Sequence, residues 1–329
     1  MQIYADFDRI ICVYLPTQIC GYNSSMNFSK KPQSWLVALI LIVGVSSLST
    51  AAILIRLANV AAGDRTVGFS LVLAASRLTL AALILIPTWP KIQWRSLQPG
   101  ALLYAATAGG CLALHFALWI TSLSYTSIAA STALVTTNPI WVAILSALWY
   151  GEKPGKMRVC GIGIGLLGGA AIGFGDMSAT SAGSNPLLGD CLALMGSWAV
   201  SLYLLLGREA QRRGLGIGSY IAIAYSTAAI ILLPLPLAFN ASYSNYPNNV
   251  YVYILLTAIL PQLIGHTSLN WAVLWISPTL VTLAVLFEPV GASFLAYLLF
   301  QEVPTLPVLA GAAVLLCGVA IAALDSKQR

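Results

Sequence analysis

Long apolar runs alternate with short polar stretches along most of this chain. A bilayer core about 30 Å thick takes roughly 20 apolar residues of helix. Ten segments reach that length, near 35–55, 67–86, 100–120, 128–149, 159–175, 187–206, 220–237, 251–273, 279–300 and 305–323. None alternates apolar and polar residues as a barrel strand does, and lipid tolerates only helices or closed barrels. The pattern therefore predicts an all-α membrane protein with ten transmembrane helices. The first segment, 1–34, does not fit it. Asp6 and Asp8 precede a short Ile10–Leu15 run that Pro16 ends, unlike a secretory signal. It reads as a disordered extension, or as a start placed upstream of Met26, after which Lys30 and Lys31 lead into Trp35.

Composition supports the membrane reading. Hydrophobic residues make up 59% of the chain and charged residues 8%, with a mean hydropathy of +0.86, where globular proteins carry about 25% charged residues. That excludes a soluble two-domain enzyme, a secreted disulfide scaffold and a disordered chain. The net charge of +6 is explained by topology. With both termini cytoplasmic, Arg9, Lys30, Lys31, Lys91, Arg95, Lys153, Lys156, Arg158, Arg208, Arg212, Arg213, Lys327 and Arg329 lie inside, against Arg56 and Arg65 outside. The expected location is the plasma (inner) membrane, with the lipid bilayer as partner and no nucleic acid. The six cysteines show no metal or disulfide spacing, so no metal and no cofactor is expected.

The chain repeats itself. A shift of 150 aligns Ser127 with Ser277, Thr132 with Thr282, Val135 with Val285, Pro139 with Pro289, Leu148 with Leu298, Glu152 with Glu302, Pro154 with Pro304, Gly161 with Gly311 and Gly168 with Gly318. A shift of 151 brings His115 onto His266. Each copy holds five spans, an odd number, so the second enters the membrane upside down. Two inverted five-helix repeats, 35–175 and 187–324, can rock to expose a central site to either side.

The stretch His115–Gly151, followed by Glu152-Lys153-Pro154, resembles an EamA repeat, and so does the stretch from Gly265. The resemblance covers almost everything after residue 35. It implies the drug/metabolite transporter superfamily: ten helices, cytoplasmic termini and secondary transport of small organic solutes, often export. EamA members handle amino acids, purines, sugars and other metabolites, so the resemblance leaves the cargo open.

Polar groups at mid-bilayer are costly and mark pathways or helix contacts. Arg77 and Glu288 sit deepest, candidates for ion coupling or for pairing with each other. Glu288 precedes Pro289 as its repeat partner Asn138 precedes Pro139, which predicts two kinks flanked by polar side chains. A carboxyl at that depth can exchange a proton during transport. Gln262, His266 and Asn270 recur at steps of four, about 400° on an α-helix, and His115 and Trp119 repeat that step. These seven, His115, Trp119, Asn138, Gln262, His266, Asn270 and Glu288, are the candidate substrate contacts, with interhelical bonding as the alternative. Ser127 and Ser131 share a stripe with Asn138. Trp141, Trp271 and Trp275 join Trp119 as aromatic candidates.

Gly163, Gly165 and Gly168 match a dinucleotide fingerprint, but inside a span, where Gly161, Gly165, Gly169 and Gly173 form a smooth ridge for helix packing, within the bundle or across a homodimer. Glu152 and Glu302 suit interfacial turns, and Arg56 is expected to snorkel to the headgroups or to guard the cavity mouth. Together with the resemblance, which implies export, the sequence is expected to encode a secondary active transporter of small organic metabolites such as amino acids or related solutes, with proton coupling as the working hypothesis. The alternative is a non-transporting membrane sensor or scaffold. An intramembrane enzyme has no nucleophile elbow or HExxH motif to stand on.

Overall fold

The computed structural model describes residues 32–94, 97–150, 155–177, 184–276, 281 and 284–324. The tail before residue 32 and the Glu152-Lys153-Pro154 turn lie outside the described residues. Among the described residues, every regular element is a helix. They run α1 Ser34–Ser49, α2 Ala51–Ala62, α3 Val67–Ile84, a 3₁₀ turn Ile86–Lys91, α4 Ala101–Ser122, α5 Ile128–Val135, α6 Asn138–Tyr150 and α7 Lys156–Met177. The second half continues with α8 Pro186–Arg212, α9 Ile217–Leu232, α10 Leu235–Ala238 and α11 Asn248–Thr257. A π-helical segment Ala258–His266 follows, then α12 Thr267–Ala272, α13 Glu288–Phe300 and α14 Leu306–Leu324.

Among the described residues, six helical stretches are long and apolar enough to cross a bilayer: Ser34–Ala62, Val67–Ile84, Ala101–Ser122, Pro186–Arg212, Ile217–Ala238 and Asn248–Ala272. Three shorter apolar helices, Val159–Ile172, Glu288–Phe300 and Leu306–Ala322, stand beside them. Two of the long stretches outrun their sequence bounds for one reason. Arg56 and Glu209 mark an end by hydropathy, but the helix continues past them, where Arg56 meets Glu302 and Glu209 meets Arg213. The first stretch ends only at Gly63, whose left-handed φ of 63° a Cβ would strain.

The proline kinks are full breaks. α5 stops at Val135 and α6 restarts at Asn138, with Pro139 in its first turn. α13 starts at Glu288, with Pro289 in its first turn. Proline lacks an N–H and fits the first turn of a helix, so each Asx/Glx-Pro pair begins a helix rather than bending one.

Small residues set the tightest contact. α7 and α14 cross in opposite directions. A Cβ on Gly161 would overlap the backbone of Ala322 and Gly318, and one on Gly168 the backbone of Leu315 and Gly311. The contact is reciprocal: Gly161 and Gly168 meet the repeat partners of each other. The glycine ridge is thus used inside the chain, through Gly161, Gly165 and Gly168, and Gly163 faces open space. We expect Gly168→Val to lower the melting temperature of the detergent-solubilised protein through overpacking, a cost of about 1–3 kcal/mol or more. Gly163→Ala should leave it unchanged or raise it, and equal losses at both positions would contradict this packing.

Candidate functional site

The two breaks face one central hollow. Arg77 from α3, His115 and Trp119 from α4, Asn138 from α6, His266 from the π-helical segment and Glu288 from α13 line it, with Leu48, Val200 and Leu204 among the apolar walls. Its volume is about 40 Å³, room for about three waters. Two larger hollows, of about 420 and 370 Å³, are lined largely by apolar side chains, including exposed Leu233, Leu255, Leu166 and Leu187. A bilayer would fill these with acyl chains.

Each break is stitched by a serine from the other half. Ser201 Oγ of α8 donates to the Asn138 carbonyl at 3.3 Å, and Ser49 Oγ of α1 donates to the Glu288 carbonyl at 3.3 Å. Both serines also donate to the carbonyl four residues back, at Ser197 and Val45. Thr136 and Thr137 turn their hydroxyls onto nearby α5 carbonyls, and Thr137 Oγ1 reaches Ser197 Oγ at 3.0 Å. Thr136 Oγ1 thereby takes the Ala133 carbonyl, which an unbroken helix would bond to the Thr137 N–H, while the two serines add a second donor to the carbonyls that open α6 and α13.

The polar side chains sort into cavity and support. Arg77, 1% exposed, donates from Nε to Gln262 Oε1 at 2.9 Å and lies 4.2 Å from the centroid of Phe116. Neither of its terminal nitrogens has a hydrogen-bond partner, so no bond joins it to Glu288. His115 donates from Nδ1 to the Gly196 carbonyl at 2.9 Å, since a carbonyl can only accept. Its ring stacks on Trp119 at 6.0 Å and meets His266 at 6.3 Å. The two pseudo-equivalent histidines thus touch across the hollow. Among the described residues no group of three His, Cys, Asp or Glu could hold a metal.

Gln262 and Asn270 share the predicted stripe but do not line the hollow. Gln262 sits behind Arg77, and Asn270 donates to Tyr203 Oη at 2.6 Å. The helical arithmetic fails here because Pro261 throws Ala258–His266 into a wider π-helix. Of the four tryptophans, Trp119 lines the hollow; Trp271 pairs with Trp275 and Trp141 with Trp198 elsewhere. Ser127 caps α5, and Ser131 bonds Ser122. Sequence reasoning missed Phe116, Tyr203, Ser49 and Ser201. Ser49 and Ser201 carried a signal, a near-repeat spacing of 152.

Arg56 departs from its expected snorkelling. At the end of the bundle opposite Ser34, its guanidinium turns inward, 3.4 Å from the carbonyls of both Leu123 and Thr126 and 3.7 Å from Glu302. Glu302 Oε1 accepts the Ile128 N–H at 2.8 Å, and Thr126 Oγ1 donates to Asp190 at 2.9 Å. Three elements thereby clasp the 123–128 connection.

A family model described as the EamA-like transporter family matches residues 34–174 and 187–324. The chain belongs to the EamA-like transporter family. It is therefore a multi-pass membrane protein of that family. It is 26% identical over 193 residues to the uncharacterized transporter YdfC of Bacillus subtilis (strain 168), a match covering 59% of this chain and 61% of that protein. A solved structure described as "Crystal structure of protein" superposes with a TM-score of 0.61 at 16% identity, covering 90% of this chain and 99% of the other. That likeness concerns the fold.

The clasp yields a test. Glu302→Ala removes the carboxylate from both Arg56 and the Ile128 amide, at a cost of about 1–2 kcal/mol. Hydrogen exchange at Ile128–Ala130 should accelerate, while Glu302→Gln, which keeps an acceptor, should show a smaller effect. Unchanged exchange in Glu302→Ala would mean that the clasp does not hold the connection.

Proposed function

We propose that this transporter is a secondary carrier working by alternating access between two inverted five-helix halves, 35–175 and 187–324, ten spans in all. The reciprocal serine bonds carry the reading: Ser49 of one half holds the break of the other, and Ser201 returns the same bond at the same 3.3 Å. The antiparallel glycine contact of α7 and α14 supports the same relation. Contacts that exist in two copies with exchanged roles give two conformations of similar energy, the requirement for opening a site first to one side and then to the other. The histidine pair and the two helix breaks mark that site, and the Arg56–Glu302 clasp closes it at the end opposite Ser34.

The positive-inside distribution orients both termini to the cytoplasm of the plasma membrane. Glu288, 8% exposed and lining the hollow, is the proton-coupling group of this reading. Small organic metabolites such as amino acids are the proposed cargo and export the proposed direction, both drawn from the family resemblance.

Alternating access can be tested before the cargo is known. In a cysteine-free background, a cysteine at Thr136 should react with a membrane-impermeant thiol reagent applied from either side of sealed vesicles. Reaction from one side under every condition would contradict alternating access. With a transported solute in hand, Glu288→Gln should abolish proton-driven accumulation while solute exchange persists. Accumulation at the wild-type rate would remove the coupling role.

A further inference from the structure

Several buried donors in and behind the wall of the hollow lack partners. Arg77 presents both terminal guanidinium nitrogens without partners, Trp119 its indole Nε1 and Gln262 its Nε2. The Gln262 assignment follows from chemistry: its oxygen must face Arg77, which can only donate. The acceptors on the wall are Asn138 Oδ1, also without a partner, the unprotonated histidine nitrogens and the carboxyl of Glu288, none of them bonded to the fork. A bare guanidinium fork is expensive at this depth, since a polar group deprived of its bonds loses its hydration without return. Stacking on Phe116 offsets part of that cost but supplies no acceptor.

The backbone adds to the same sign. α6 and α13 both begin at the hollow, and each is 13 residues long. The N-terminus of a helix carries roughly half a positive charge and free N–H groups, and broken membrane helices direct such ends at anionic groups of their cargo. Glu288 occupies one of these ends, yet forms no bond to Arg77.

We infer that Arg77 is the anchor for a carboxylate on the transported solute. This inference rests on the carrier reading and deepens it. A planar fork of two N–H groups matches a carboxylate in a bidentate pair. A single guanidinium facing Glu288 suits a monoanion better than a dianion such as phosphate, whose second charge would meet the carboxyl of Glu288. The hollow of about 40 Å³ takes the carboxylate group itself. The rest of the solute needs the bundle to open.

Acetate is the smallest convenient probe of that group. The purified full-length protein in chloride-free detergent buffer is titrated with acetate and, in parallel, with acetamide, chloride and phosphate at matched ionic strength. Acetate should raise the melting temperature by about 2 °C or more near saturation, and the three controls should not. Arg77→Gln should abolish the shift. Gln262→Glu places a carboxylate beside the fork, and should retain or raise the melting temperature while also losing the acetate response, which keeps the test sound if Arg77→Gln folds poorly. No acetate response in the wild type, an equal response to acetamide, or a response that survives both substitutions would overturn the inference. An equal response to chloride or phosphate would replace it with a general anion site. The carrier reading fails separately: thiol labelling from one side alone, with acetate binding intact, would strike that reading and leave the anchor standing.

Discussion

Every backbone N–H and carbonyl inside a bilayer must find a partner, because none is offered by the lipid and each one left bare costs several kcal/mol. A membrane helix can therefore be broken only where other side chains take over its bonds. This chain breaks twice beside its central hollow, at Asn138-Pro139 and Glu288-Pro289; Thr136 and Thr137 bond the last carbonyls of α5, and Ser201 and Ser49 tie the first carbonyls of α6 and α13 to the opposite half. Irregular backbone in the middle of an apolar bundle is thereby stable, and it brings Asn138 and Glu288 to the cavity wall. The site exists because the breaks are satisfied.

That solution also ties the halves together. Each serine belongs to the first span of one half and bonds the fourth span of the other, so each half contributes a contact to the other's break. The contact between α7 and α14 has the same reciprocity, with glycine admitting backbone to backbone where any Cβ would force the helices apart. The clasp at Arg56 and Glu302 differs in kind. It is polar and largely buried, its side chains 14% and 18% exposed, so opening it requires water to replace the carbonyl and carboxylate partners of Arg56.

Much of this was legible before any coordinates. The helical class followed from the length and greasiness of the runs, and the repeat placed His115 on His266, which do meet at 6.3 Å. Arg77, His115, Trp119, Asn138, His266 and Glu288 stood out as polar residues in apolar runs, and all six line one hollow. What escaped was set by local backbone geometry and by tertiary partners. Pro261 converts the eighth span to a π-helix and so separates Gln262 and Asn270 from the wall that His266 joins. Arg56 looked like a headgroup ligand because hydropathy counts a charge but cannot see two carbonyls and a carboxylate waiting for it. Serines such as Ser49 and Ser201 are ordinary in composition; only the breaks they stitch give them meaning.

The central claim is that the two ends of the bundle open in opposition. Spin labels at Val60 and Val303 report the end that carries the clasp, and labels at Arg212 and Met157 report the other; all four positions are exposed. Electron–electron distance measurements on both pairs in nanodiscs, in acid and neutral buffer and with the clasp cut by Glu302→Ala, test the claim most directly. The account predicts that whenever one pair lengthens, the other shortens. Two distances that stay fixed, or that lengthen together, would contradict it.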